Sequence, residues 1–148
     1  MGRYPAFLAE FLGSPRNHYA IYVDVNQGLS GYLLHVVGTL QKGMELKVSE
    51  DFRNPTFSLT FLGMRQVGWV PHSKLGHCKN VCETVPPPAK QWDRGRPLLP
   101  LDQLRRCQEW TAEAVDVLRE SGVLQQLRPT EDPIVIIRDK TENGTSHG

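Results

Sequence analysis

The chain has 148 residues, of which 39% are hydrophobic and 22% are charged, and its formal net charge is +1 at pH 7. This length and composition are typical of one globular domain with a hydrophobic core. The nearly balanced charge lacks the strong basic field that attracts nucleic acid or anionic membranes, so neither is an expected partner.

The cysteine count and the start of the sequence indicate a cytoplasmic protein. There are 3 cysteines, an odd number without a secretory context, which argues against a disulfide framework. The first residues lack the long apolar segment of a signal peptide. No run approaches the roughly 20 apolar residues that cross a bilayer, so we expect no integral membrane segment.

Short strands dominate the predicted first half of the chain, apart from its N-terminal segment. Residues 1–17 place apolar side chains at a spacing that predicts one or two helical turns, ended at Pro15. Residues 44–48 and 57–61 alternate between apolar and polar side chains, and residues 67–70 form a further short strand that ends at a proline. Short strands with short connections predict an antiparallel sheet.

A β-hairpin is predicted at residues 18–25 and 32–37, which are rich in aromatic and β-branched residues on either side of turn residues. Each strand contains one histidine, His18 or His35. Because antiparallel partners share a face, a loop of even length places both histidines on one face. A two-residue loop would set them directly opposite, whereas an odd loop would separate them unless a β-bulge restored the phase.

The second half of the chain predicts a short helix, a crossover and a long helix. Residues 72–85 predict the short helix, with apolar and cysteine side chains inward, and the proline-rich residues 86–100 predict an extended crossover without regular structure. The long helix begins at about Leu101 or Asp102 and ends at Ser121, before a glycine typical of a helix C-terminus.

The C-terminal segment predicts one further strand and a tail. Residues 132–137 are apolar enough to add an edge strand, and residues 139–148 are polar and predicted to be disordered. The domain organisation expected from the sequence is therefore a single domain at residues 1–138 followed by a disordered tail.

Cys107 is the first candidate for chemistry. It follows Arg105 and Arg106 near the start of the long helix, and both a helix N-terminus and nearby cations lower a thiol pKa. The alternative is a small core residue on the apolar stripe of the helix. If the helix started at Asp102, Cys107 would lie in the second turn, where the dipole effect has faded.

His18 and His35 are the candidate partners of this thiol. In a thiol–imidazole–imidazole arrangement, one histidine takes the thiol proton and the second binds the other nitrogen of the first ring, which fixes its tautomer. The alternative for each is a structural histidine in a strand.

No metal or cofactor is expected from the sequence. His77, Cys78 and Cys82 offer three potential ligands, but no second CxxC or HxxxH completes a tetrahedral zinc site. No phosphate-binding glycine loop, GxSxG elbow or HExxH motif occurs. Trp92 belongs to a polar–aromatic patch on the crossover, which packs on the domain or lines a substrate cleft.

Three stretches together resemble lecithin:retinol acyltransferase-like proteins, which are circularly permuted relatives of the NlpC/P60 branch of papain-like enzymes. The stretches are residues 18–23 (HYAIYV), residues 34–36 (LHV) and residues 107–110 (CQEW), in the same His–His–Cys order. The resemblance spans roughly residues 17–120. The string RRCQEW at residues 105–110 also resembles that of small fungal proteins.

This resemblance implies a permuted papain-like α+β fold, in which an antiparallel sheet of four to six strands packs against a long helix. It also implies that Cys107 is the nucleophile, His18 the general base and His35 the orienting residue. The expected activity is cysteine-dependent acyl transfer, by a hydrolase or an acyltransferase that acts on an amide, ester or thioester of a small molecule or peptide.

Four further residues are expected to contact the substrate: Tyr22, Arg106, Gln108 and Trp92. The alternatives are a non-catalytic module that binds a ligand or protein on the same fold, and a histidine-based acid–base isomerase or cyclase of a small metabolite. The sequence does not identify the substrate, does not distinguish hydrolysis from transfer, and does not give the oligomeric state.

Overall fold

The three-dimensional structure is a computed structural model that describes residues 2–13 and 16–138. The predicted helix stop at Pro15 and the predicted disordered tail lie outside these residues. The strands are β1 (Arg3–Phe11), β2 (His18–Asp24), β3 (Ser30–Thr39), β4 (Gly43–Arg53), β5 (Phe61–Pro71), β6 (Trp92–Asp93), β7 (Arg96–Pro97) and β8 (Val135–Ile137). The α-helices are α1 (His77–Cys82) and α2 (Cys107–Glu120).

Six of the strands form one antiparallel sheet in the order β4-β3-β2-β1-β5-β8. The long helix α2 packs on one face of this sheet, mainly against β2 and β3, and also contacts α1. The predicted α+β class, with an antiparallel sheet and a long helix, is confirmed.

The N-terminal segment is a central strand, so the predicted helix at residues 1–17 is wrong. β1 pairs with β2 on one side and with β5 on the other. Phe7 and Phe11 are buried on one face and Ala6 on the other, because a central strand has no solvent-exposed face. The apolar residues therefore lack simple alternation, and their spacing imitates a helix.

The predicted hairpin of β2 and β3 is confirmed, and its register places both histidines on one face. Ile21 lies opposite Leu34 and Val23 lies opposite Tyr32. His18 and His35 are consequently diagonal neighbours rather than direct partners. Asp24 stabilises the turn, since its carboxylate accepts hydrogen bonds from the backbone N–H groups of Asn26 and Gly28.

The predicted strand at residues 57–61 is wrong. A 3-10 helix at Pro55–Phe57 occupies its start, and the Asn54 side chain caps this helix by accepting a hydrogen bond from the Thr56 N–H. Leu59 is 92% exposed, so the alternation there does not reflect burial. The predicted strand at residues 44–48 lies within β4, and the one at residues 67–70 is the end of β5.

Two buried clusters cover the two faces of the sheet. On the face toward α2, side chains of β2 and β3 pack against Trp110, Ala114 and Leu118 of α2 and against both cysteines of α1. The opposite cluster consists mainly of sheet residues: Phe7, Ala9, Phe11, Ala20, Tyr22, Leu33, Phe61 and Met64. His18 and His35 lie on the same face of their strands as the residues of this second cluster.

The crossover departs from its prediction in one detail, because residues 92–97 contain the two-stranded ribbon of β6 and β7.

The start of the long helix also differs from its prediction. A 3-10 helix at Leu101–Gln103 is followed by extended backbone at Leu104 and Arg106, and α2 begins only at Cys107. The C-terminal edge strand is confirmed as β8, paired with β5.

Candidate functional site

Cys107 is the first residue of α2, so its thiol lies at the helix N-terminus. Arg106 has extended backbone, and its N–H donates a hydrogen bond of 2.6 Å to the Glu109 carboxylate. The Thr111 hydroxyl donates to the carbonyl oxygen of Cys107 at 2.6 Å. The first backbone N–H groups of a helix have no partner within it, so the thiol lies beside free donors.

A buried glutamine of the crossover holds the segment that precedes Cys107. Gln91 is 5% exposed, and its amide oxygen accepts from the Arg105 N–H at 2.5 Å while its amide nitrogen donates to the Arg105 carbonyl oxygen at 2.7 Å. The Gln91 backbone N–H also donates to the Leu40 carbonyl oxygen at 2.8 Å. Gln91 therefore ties the entry of α2 to the loop between β3 and β4. The sequence marked this residue only as a neighbour of Trp92 in the polar–aromatic patch of the crossover.

The two histidines form a hydrogen-bonded pair, with 2.7 Å between His18 Nε2 and His35 Nδ1. Their rings are inclined at 69°. Burial lowers the pKa of His18. Burial, followed by the charges of His18 and Lys47, lowers the pKa of His35 to about 4. Both imidazoles are therefore neutral near pH 7, and a neutral imidazole can accept a proton.

The Cys107 thiol does not have the lowered pKa that its neighbours suggest. Cys107 is 8% exposed, and this burial raises the thiol pKa. The Tyr19 backbone N–H, which lies within hydrogen-bonding range of the sulfur, acts in the opposite direction. The charge of Glu109 raises the pKa, and the N–H of Cys107 and the charge of Arg106 lower it. The net direction is upward, which corrects the expectation of an easily formed thiolate.

Cys107 and His18 line one cavity of about 430 Å³ at the end of the sheet where β2 begins. The thiol meets β2 at the backbone of Tyr19, which directly follows His18. His18 itself is engaged with His35 on the other strand face. In the described part of the chain, no hydrogen bond joins the Cys107 sulfur to either imidazole.

Two of the four predicted substrate contacts line this cavity and two do not. Arg106 and Gln108 lie on its wall. Tyr22 is fully buried in the cluster on the face opposite α2. Trp92 lies in β6, outside the cavity wall.

Cys78 and Cys82 are core residues of α1, with exposed fractions of 1% and 0%. Burial raises the thiol pKa of Cys78 to about 11, and burial with the charges of Cys78 and Glu83 raises that of Cys82 to about 12. Within residues 2–13 and 16–138, no group of three His, Cys, Asp or Glu side chains has an arrangement suited to a metal ion.

The fold and the cavity define an α+β protein in which a thiol at a helix start and one histidine of a hydrogen-bonded pair line the same cavity. The chain belongs to a family of unknown function, DUF6540, whose model matches residues 6–125. The matched residues include both histidines and Cys107. No curated protein and no solved structure matches the chain. Among the described residues, no helix is both long and apolar enough to cross a membrane.

Proposed function

We propose that the protein is a cysteine-dependent acyl-transfer enzyme, a hydrolase or acyltransferase that acts on an amide, ester or thioester. One observation carries this proposal: Cys107, at the first position of α2, lines the same cavity as His18, whose ring is hydrogen-bonded to His35 at 2.7 Å. Nucleophile, base and orienting group are the parts that such a reaction needs.

His18 is the proposed general base. With Nε2 engaged by His35, the nitrogen left to take the thiol proton is Nδ1, and the lowered pKa of the ring keeps that nitrogen unprotonated near neutral pH. His35 then accepts the His18 Nε2–H through its Nδ1, which fixes the tautomer of the base.

The raised thiol pKa favours general-base catalysis over a preformed thiolate–imidazolium pair. The thiol is protonated at rest, and its proton passes to His18 as the sulfur attacks the substrate carbonyl. This transfer requires the His18 ring to turn toward the sulfur, a movement that substrate binding in the shared cavity would favour.

The reaction then follows two balanced steps. Sulfur bonds to the carbonyl carbon, the bond to the leaving group breaks, and the leaving group takes the proton from His18. Water, an amine or an alcohol next attacks the thioester, gives its proton to His18, and the cysteine sulfur leaves as thiolate and recovers that proton. The Cys107 N–H and a neighbouring donor stabilise the oxyanion in both steps.

The same proposal includes a circularly permuted papain-like fold of the lecithin:retinol acyltransferase type. Its support is the chain order, in which the base and the orienting histidine lie on β2 and β3 and the nucleophile begins a later helix. The antiparallel sheet and the helix packed on it are compatible with that arrangement.

Alkylation by iodoacetamide, followed for each cysteine by peptide mass spectrometry, tests the base. Cys107 should react, while the buried Cys78 and Cys82 serve as internal controls. The reaction of Cys107 should slow by roughly tenfold or more in His18→Ala. For complete enzymatic reactions, general-base catalysis contributes about 100-fold at the low end of its range. His77→Ala, which removes an exposed histidine outside the cavity, is the matched control. Equal rates with and without His18 would exclude this mechanism.

A histidine-based isomerase or cyclase of a small metabolite is the second candidate. The hydrogen-bonded His18–His35 pair favours it. So does the Cys107 thiol, which has no hydrogen bond to that pair within the described part of the chain. Under this alternative, Cys107→Ser would retain turnover and His18→Ala would abolish it.

A further inference from the structure

The wall of the cavity is divided into an apolar side and a cationic side. The apolar side comes from the end of β3, the following loop and the start of β4, and consists of Val36, Val37, Leu40 and Met44. Arg16 and Arg106 contribute the cationic side, and no Asp or Glu is among the lining residues. Cys107 and His18 complete the wall.

Neighbouring arginines differ in whether their charge is balanced. Arg105 is half-buried and makes two hydrogen bonds, at 2.9 and 2.7 Å, to the Glu113 carboxylate, so its charge is already paired. Arg106 lines the cavity, and no ion pair with Arg106 or Arg16 occurs among the described residues. The carboxylate of Glu109 is engaged by the Arg106 backbone N–H.

A partly enclosed site with apolar walls and a guanidinium that forms no ion pair among the described residues favours an anionic ligand. Guanidinium groups bind carboxylate and phosphate oxygens through paired N–H donors, while apolar walls bind hydrocarbon. A neutral ligand of the same length would leave the charge of Arg106 without a partner.

Building on the proposed function, we infer that the substrate of this site is an anionic acyl compound: an apolar acyl chain that also carries a carboxylate or phosphate group. The chain lies against Val37, Leu40 and Met44, and the anionic group is bound by Arg106, with Arg16 adding to the positive potential. Carboxylate and phosphate share this chemistry, and the experiment below separates them.

The first measurement compares two alkylating agents that differ in charge, iodoacetate and iodoacetamide, each of which forms a thioether at Cys107 as iodide leaves. The ratio of the two rates, divided by the same ratio for free N-acetylcysteine, isolates the local potential from thiol reactivity. The charges of Glu109 and Arg106 act on the sulfur in opposite directions, so the wild-type ratio serves as the reference. Arg106→Gln should lower the ratio by roughly three- to tenfold at low salt, the order expected for one unit charge a few ångströms away in a water-filled cavity.

The matched control is Arg65→Gln, which removes the same charge from an exposed strand position outside the cavity. It should leave the ratio unchanged. A ratio that Arg106→Gln leaves unchanged or raises would overturn the inference. These outcomes do not depend on His18, whereas the proposed function fails if the iodoacetamide rate is the same in His18→Ala, so the two failures are distinguishable.

The second measurement is protection of Cys107 from iodoacetamide by three compounds of equal chain length: hexanoate, hexyl phosphate and 1-hexanol. Protection by one or both anions, weakened in Arg106→Gln, supports the inference, and the more effective anion identifies the headgroup. Equal protection by all three compounds, protection by hexanol alone, or no protection by any of them contradicts it.

Discussion

The helices α1 and α2 each bury cysteine side chains against the same face of the sheet, and the two places differ in what surrounds the sulfur. Cys78 and Cys82 lie inside α1 among apolar side chains, with thiol pKa values of about 11 and about 12. Cys107 lies at the first position of α2, borders a cavity, and has both its own N–H and that of Tyr19 close to the sulfur.

This difference lies in what opposes burial around each sulfur. All three thiols have raised pKa values because burial penalises the thiolate. Only for Cys107 do backbone donors and a cation oppose this penalty. A cysteine that is 8% exposed can therefore be a nucleophile when donors and a base adjoin it, whereas a fully buried one is a core side chain.

The largest expected effect that tests this comparison is the loss of turnover in Cys107→Ala. Because an alanine cannot form the acyl intermediate, hydrolysis of a p-nitrophenyl ester should fall by about 1,000-fold or more. Cys78→Ala, the matched change in α1, should keep the rate within about twofold, since that residue does not line the cavity and distant core changes act through stability. Similar turnover in wild type and Cys107→Ala would remove the distinction between the two helices.

A smaller effect is expected from Gln91→Leu, which removes the side chain that holds the entry of α2. The N–H and carbonyl of Arg105 would lose their partners, at a cost of about 1–3 kcal/mol in the free energy of unfolding. The thiol pKa of Cys107, read from the pH dependence of alkylation, should rise because the Tyr19 N–H and the sulfur no longer align. Urea unfolding and alkylation measure the two effects.

Gln126→Leu is the control for this change, because Gln126 is an exposed glutamine outside the cavity. If Gln91→Leu lowered stability but left the pKa of Cys107 unchanged, the glutamine would support the fold without positioning the thiol.

The smallest expected effect is a loss of stability in acid, which arises from the imidazole pair on the face of the sheet opposite α2. Burial lowers the pKa of His35 to about 4 from its ordinary 6.5. Between these values the unfolded chain binds more protons than the folded one, so stability falls as the pH falls from 6.5 toward 4. His35→Gln cannot titrate, and its unfolding free energy should decline less over this window in urea titrations. Parallel curves for both proteins would show that other groups cause the loss.

The sequence predicted strands where β-branched and aromatic residues mark them. β2 and β3 were recognised in this way, although β2 is buried on both faces. The sequence left open whether the loop between them is even or odd, and the register places His18 and His35 on one face. β1, also buried on both faces, was missed because its apolar residues lack alternation and none of them is β-branched. Residues 57–61 were misread because their alternation lies on an exposed turn beside Pro55. Alternation reports one-sided burial, so a strand buried on both faces is recognised only from its residue types.

For the candidate site, the sequence identified the residues proposed to act but not their surroundings. The position of Cys107 near a helix start was evident, but the contact of Gln91 with the Arg105 backbone just before the helix joins residues distant in sequence and was not. The direction in which the thiol pKa shifts could not be predicted either. The charged neighbours of Cys107 are evident in the sequence, but the burial of its thiol is not.

The position of β1 has a consequence for how the chain assembles. The first four strands form a meander in which each pairs with the next, so they can associate while the chain emerges from the ribosome. One edge of β1 then stays open until β5 has been synthesised, and that edge includes Phe7 and Phe11. An open apolar edge strand of an unfinished sheet can pair with another nascent chain, so the interval before β5 arrives is when this protein is most exposed to aggregation.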